Sequence, residues 1–368
     1  MDINKQSQSA GDNSTQMLAQ QITNNVYVGV TEQRAREICR EEYALTAHIR
    51  AEEAKTIADA RVSKLEDRVI PKIMEHDDTL KPFSDPSFLL SLKQAQISAA
   101  SSEREDDYDL LAELLVSRVK GGEDRGKRLA INKAIEVVDK IPEDALIGLG
   151  MVYAVTNLYP LDEDFRNRLE RFNSLYGCII GSGSLPNGTE WLEHLDLLSV
   201  IRLSPKGIGS FNKMEEFIPE VFRAQRVQGF TYDDPILLQI KKDFSKLHLP
   251  LTCFVPHPLK PGYEMLSLPD DINEIKLYFK AQDQTIQLPL SNEQKDLLQK
   301  ALGCVNKDAS HVEDLKKEIL KQWNTFPILN QVLQWWNSLP VFFNITPAGN
   351  ALANAFIHGK DPNVPKIE

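Results

Sequence analysis

Apolar positions in residues 31–70 recur at loose helical spacing: Ile38, Leu45, Ile49, Ile57, Leu65 and Val69, with Ala44, Ala54, Ala58 and Ala60 between them. Charges fill the other faces. The pattern predicts one long amphipathic helix, capped by Thr31, with Glu32 in its first turn, and stopped by Pro71. It is too irregular for a strict heptad seam. Before it, residues 16–30 alternate imperfectly and end in Val26-Tyr27-Val28-Gly29-Val30, where β-branched and aromatic residues favour an extended chain. A lone strand is not stable. Residues 16–30 are therefore expected to pair elsewhere in the fold or with the same segment of another copy; a tail with incidental valines is the plainer reading.

Further along, helical spacing returns in a series of short blocks. Asp85-Pro86 is a cap followed by proline at the first helical position. Leu110, Leu111, Leu114, Leu115 and Val119 mark the next helix, which Gly121-Gly122 breaks. Ala130, Ala134, Ile135, Val138 and Ile141 mark another. Pro142 opens an apolar helix ending near Asn157, and Asp162 is expected to cap a helix running through Leu175. Residues 86–176 thus read as an antiparallel helical bundle.

Residues 177–189 form a Gly/Ser/Pro/Asn loop, and the texture then changes. Helices are expected over 190–198, 211–222 and 235–246, and strands over 199–203, 263–268, 275–279 and 285–288, with proline-rich loops among them. Capping boxes at Ser291/Gln294 and Ser310/Glu313 each head a helix. A third helix spans 326–336, a strand 341–345, and a last helix 348–358, capped by Thr346-Pro347 and ended by Gly359. Residues 200–207 and 342–349 echo each other: strand, Ser/Thr cap, proline, nearby glycine. That signature also resembles the segment after the wing of winged-helix domains.

The fold class expected is mainly α with minor β. Five regions are expected: 1–30, tail and short strand; 31–71, long helix; 72–176, helical bundle; 177–290, mixed α+β; and 291–368, a C-terminal helical module with a strand. The length of 368 residues accommodates two or three domains. The net charge of −11 repels phosphate, so nucleic acid is not an expected partner. Cys39, Cys178, Cys253 and Cys304 make no CxxC pair, and isolated thiols fit a reducing cytoplasm. The polar N-terminus does not read as a secretory signal. The most apolar window, 145–161, is too short to span a bilayer, so no membrane role is expected.

Candidate chemistry is sparse. Gly181-Ser182-Gly183-Ser184 lacks the Gly-Lys-Ser/Thr ending of a P-loop, and the stretch from Gly121 to Lys127 lacks the Ser/Thr and a preceding strand. Glu193, His194 and Asp196 point to different faces of a helix, and His311 with Glu313 has the same fault. Glu103, Glu105, Asp106, Asp107 and Asp109 complement a helix N-terminus, as Lys120, Arg125, Lys127 and Arg128 complement the end of that helix. Trp323, Trp335 and Trp336 lie among Leu and Ile and read as core. Cys253 and His257 are a conceivable nucleophilic pair if a cleft joins them to a carboxylate. No cofactor or metal is expected, and no catalytic residue is named.

Several segments together resemble an uncharacterised bacterial family labelled by locus tags of the Lpo/Vpar type. They are Gly11-Asp12-Asn13-Ser14, the Val30-Thr31-Glu32 helix start, Phe83-x-Asp85-Pro86, Ala95-Gln96, the stretch 110–119, Ala130-Ile131-Asn132-Lys133-Ala134-Ile135-Glu136 and Ile345-Thr346-Pro347-Ala348-Gly349-Asn350-Ala351-Leu352-Ala353. The resemblance covers most of the chain except 229–290 and implies a shared fold without an active site. The expected function is a non-catalytic cytoplasmic protein that self-associates through Val26, Val28, Val30, Ile38, Leu45 and Ile49 and binds a protein partner, as a sensor or adaptor in stress or phage defence. The alternative is a nucleic-acid-binding regulator with a C-terminal winged-helix-like unit.

Overall fold

The computed structural model describes residues 30–75, 81–120, 124–160, 164–204, 211–222, 229–269, 271–281, 284–304 and 309–364. It is mainly helical, with small antiparallel sheets. The first helix, α1 (Glu32–Met74), starts where the sequence predicts: the Thr31 side chain accepts a hydrogen bond from the Arg34 N–H. It does not stop at Pro71, which sits inside the last turn. So near the C-terminus the ring costs one backbone bond, while helical continuation keeps Ile73 fully buried.

Four helices follow with their caps in view: α2 (Pro86–Ser101), α3 (Glu105–Lys120), α4 (Arg125–Val137) and α5 (Glu143–Asn157). Asp85 accepts from the Ser87 N–H at the head of α2, and Asp124 accepts from Gly126 and Lys127 at the head of α4. The next helix, α6 (Phe165–Ile180), is capped by Asp164 rather than by the expected Asp162, which lies outside the described residues. The choice follows register: Asp164 directly precedes the first helical residue and accepts from the Asn167 N–H.

The chain continues through α7 (Glu190–Leu197), β1 (Ile201–Leu203) and α8 (Met214–Val221). A small lobe then holds β2 (Phe230–Thr231), α9 (Pro235–Lys246), β3 (Phe254–Pro256), β4 (Tyr263–Leu266), β5 (Leu277–Ala281), β6 (Gln284–Leu288) and α10 (Asn292–Cys304). Here β3 and β2 both pair with β4, and β5 with β6, all antiparallel. Sequence reading missed β2 and β3, because a two-residue strand and a strand ending in proline carry almost no pattern. The Ser291–Gln294 capping box heads α10 reciprocally: the Ser291 N–H donates to Gln294 Oε1, and the Gln294 N–H to Ser291 Oγ.

The last elements are α11 (Ala309–Asn324), α12 (Pro327–Asn337), β7 (Phe343–Ile345) and α13 (Pro347–Lys360). The two echoing segments turn out to be partners. β1 and β7 pair antiparallel, with Ile201 opposite Ile345 and Leu203 opposite Phe343. Thr346 Oγ1 donates toward the Ser199 and Val200 carbonyls, 2.9 Å from each, and accepts from the Gly349 N–H. Gly349 is required here for closeness: a Cβ would lie 2.2 Å from the Val200 carbonyl oxygen.

Two hydrophobic cores result. The larger one draws on α1 to α8 and α11 to α13; the smaller one holds Phe230, Leu237, Ile240, Phe244, Leu266 and Leu298. A change of core therefore does not fall at the expected 290/291 boundary, because α10 packs with the small lobe through Leu297, Leu298 and Ala301. The C-terminal helix is the hub of the large core: α13 packs on α3, α4, α5 and α6 and buries Leu352, Ala353, Asn354, Ala355, Phe356 and Ile357. β7 pairs with a strand 140 to 144 residues away.

Candidate functional site

The feature that most departs from a closed fold is the outer part of α1. From Val30 to Ala60 every residue is exposed except the half-buried Glu37 and Ala58. Burial begins only at the base, with Leu65, Val69 and Ile73, each at most 1% exposed. At 1.5 Å per residue, residues 32–60 form a rod roughly 40 Å long standing clear of the body.

Of the residues expected to mediate self-association, the structure brings Ile38, Leu45 and Ile49 together on one face of this rod. Spacings of seven and four residues place them within an arc of about 40°. They are 38%, 55% and 48% exposed. By the same helical arithmetic, the base stripe of Leu65, Val69 and Ile73 lies on roughly the opposite side. The outer stripe is thus a second apolar face, not a continuation of the one that meets the body. Val30 is exposed beside the start of α1; Val26 and Val28, and the strand expected over 16–30, lie outside the described residues.

The base is held by charge as well as by apolar burial. Arg61 pairs with Glu103, Lys64 with Glu105, Arg68 with Glu105 and Asp109, and Lys72 with Glu113. Between α1 and α3 the offset is a constant 41 residues for three rungs, so the two helices run parallel with matched turns. Of the acidic cluster at 103–109, Glu103, Glu105 and Asp109 form the receiving side of this ladder, while Asp107 pairs with Arg104 and Asp106 with Lys360. The Lys64 ammonium holds the Glu105 carboxyl below its ordinary value of 4.5. The last rung is the most enclosed, since the Glu113 side chain is 5% exposed and also meets His358 Nδ1 at 3.3 Å.

The other sequence candidates resolve into scaffold. His194 Nε2 sits 2.7 Å from the Lys140 carbonyl oxygen, and Asp196 accepts from the Leu203 N–H. Cys253 Sγ lies 3.2 Å from the Pro250 carbonyl oxygen, and burial pushes its thiol up to about 11, the reverse of an activated nucleophile. His257 Nδ1 accepts from the Leu259 N–H. Each of three tryptophans donates its indole N–H to a backbone carbonyl: Trp323 to Leu329, Trp335 to Pro186 and Trp336 to Asn212. Among the described residues, no group of three or more His, Cys, Asp or Glu is placed to hold a metal ion, and no helix is long and apolar enough to cross a membrane.

Two of the cavities lined by described residues lie on the large core. One, of about 250 Å³, lies where the first turns of α3 and α5 meet the last turns of α6 and α13. Its charged lining is mostly engaged: Asp107 with Ser102 and Arg104, Asp106 with Lys360, and Glu105 with α1. Burial raises the Asp107 pKa against the pull of those two partners. The other cavity, of about 340 Å³, is lined by aromatic rings. No sequence signal pointed to it, because its rings come from four separate stretches of chain.

Taken together, these features define a helical scaffold with a projecting, two-faced arm. The chain belongs to a family known by a locus tag and uncharacterised, whose model matches residues 29–364. Neither a curated protein nor a solved structure matches it.

Proposed function

We propose that this is a non-catalytic cytoplasmic protein that assembles by pairing its arm with the arm of a second copy, leaving the body to engage a protein partner. The carrying observation is the exposed stripe of Ile38, Leu45 and Ile49 on a helix section that none of the described residues of the body covers. A long single helix in water gains little from propensity alone; tertiary or quaternary burial of an apolar face supplies most of the stability. Local ion pairs such as Arg34–Glu37, Arg36–Glu32 and Arg50–Glu53 add only a few tenths of a kcal/mol each.

Residues 32–60 carry five basic and seven acidic side chains, so the arm offers no strong field of one sign to a highly charged partner. Exposed Cys39 and Cys178, both free thiols, suit a reducing compartment. A sensor or adaptor role in stress or phage defence is compatible with an assembling scaffold.

Light scattering on the full chain tests the reading. A mass of two or more copies is expected, reduced to one copy by the combined variant Ile38→Ser, Leu45→Ser and Ile49→Ser. A monomer across the micromolar range, or an oligomer indifferent to that variant, would sink it.

A further inference from the structure

The 340 Å³ cavity lies between the C-terminal end of α5, the lead-in to α8, α8 itself, the end of α12 and the residue before β7. Tyr159, Phe211, Phe217, Trp336 and Phe342 supply five rings to its wall. The rings brace one another: Phe211 stands 4.9 Å from both Trp336 and Phe342, and Phe217 5.6 Å from Trp336, all tilted or edge-on. Tyr159 is 45% exposed.

Three polar donors of the wall are already used. Thr156 Oγ1 donates to the Val152 carbonyl, Tyr159 OH to the Thr156 carbonyl, and Trp336 Nε1 to the Asn212 carbonyl. Among the described residues, no charged side chain lines the cavity. A ligand that seeks hydrogen bonds or an anion partner finds little there; what the wall offers is the electron-rich character of aromatic faces.

A wall of five rings without a charged side chain among the described residues suits a cation that needs no hydrogen bonds. We infer that this cavity binds a trimethylammonium group, carried either by a small free molecule such as choline or by a methylated lysine side chain. Such a group is attracted to ring faces and loses little by leaving water.

Calorimetric titration of the full chain with choline, and with 3,3-dimethylbutan-1-ol, tests it. The alcohol has the same shape with carbon in place of the charged nitrogen. Choline or free trimethyllysine is expected to bind roughly three- to thirty-fold more tightly than its neutral isostere. Tyr159→Leu is expected to weaken that binding and Tyr159→Phe, which keeps the ring, to retain it; unchanged circular dichroism melting confirms that both fold. Equal affinity for the neutral isostere, binding of indole without binding of either cation, no binding at all, or indifference to Tyr159→Leu would each overturn the assignment.

Discussion

The two parts of α1 are one continuous helix with opposite physics. Its base, residues 61–74, buries Leu65, Val69 and Ile73 and hands four cations to carboxylates on or just before α3. Its outer part exposes Ile38, Leu45 and Ile49 and, among the described residues, pairs charges only within itself. The lesson is that helical continuity does not imply a shared role: the base belongs to the core, and the arm is available for something else.

That contrast is breakable. The largest effect is expected from Leu65→Ala or Ile73→Ala, which should lower unfolding free energy by about 2–5 kcal/mol in denaturant titrations. Gly349→Ala forces a Cβ into the Val200 carbonyl and should cost roughly 3 kcal/mol on the same assay. Leu45→Ala, measured dilute enough to keep chains apart, should stay within about 0.5 kcal/mol of the parent. If it costs as much as Leu65→Ala, the arm is packed on the body and the distinction fails.

Within the base, Lys72→Met leaves the enclosed Glu113 without its ammonium partner and should destabilise by roughly 2 kcal/mol, more than Lys64→Met at the exposed rung. The smallest effect is a pH dependence. Because the folded Glu105 carboxyl titrates below its ordinary 4.5, its contribution is present above that value and fades as pH falls through the lower folded value. Melting midpoints of the parent and Glu105→Gln should therefore differ by a constant amount from pH 7 to 5 and converge in more acidic buffer. A difference that grows on acidification would contradict this sign.

Local signals were readable wherever the chemistry was local. Thr31, Asp85-Pro86, Ser291 with Gln294 and Thr346-Pro347 all cap the helices they were expected to cap. The site was half legible: the exposed stripe on α1 could be named, but not its separation from the base, since both stripes are simply apolar residues at helical spacing. The echo between residues 200–207 and 342–349 held a pairing signal, hidden by its equal fit to any strand-to-helix turn.

What the sequence by itself determined was the mainly helical class, the start of α1 and most caps, because a side chain and the backbone two or three residues away satisfy each other whatever the rest of the chain does. Only the tertiary structure decided that α13 is the hub, that β1 meets β7, that a cluster of acids faces the base of α1, and that five rings close on one cavity. Those outcomes depend on which faces meet across gaps of 41 to 254 residues, and burial is non-directional: it rewards many pairings on paper and is resolved to one only by packing all of them at once.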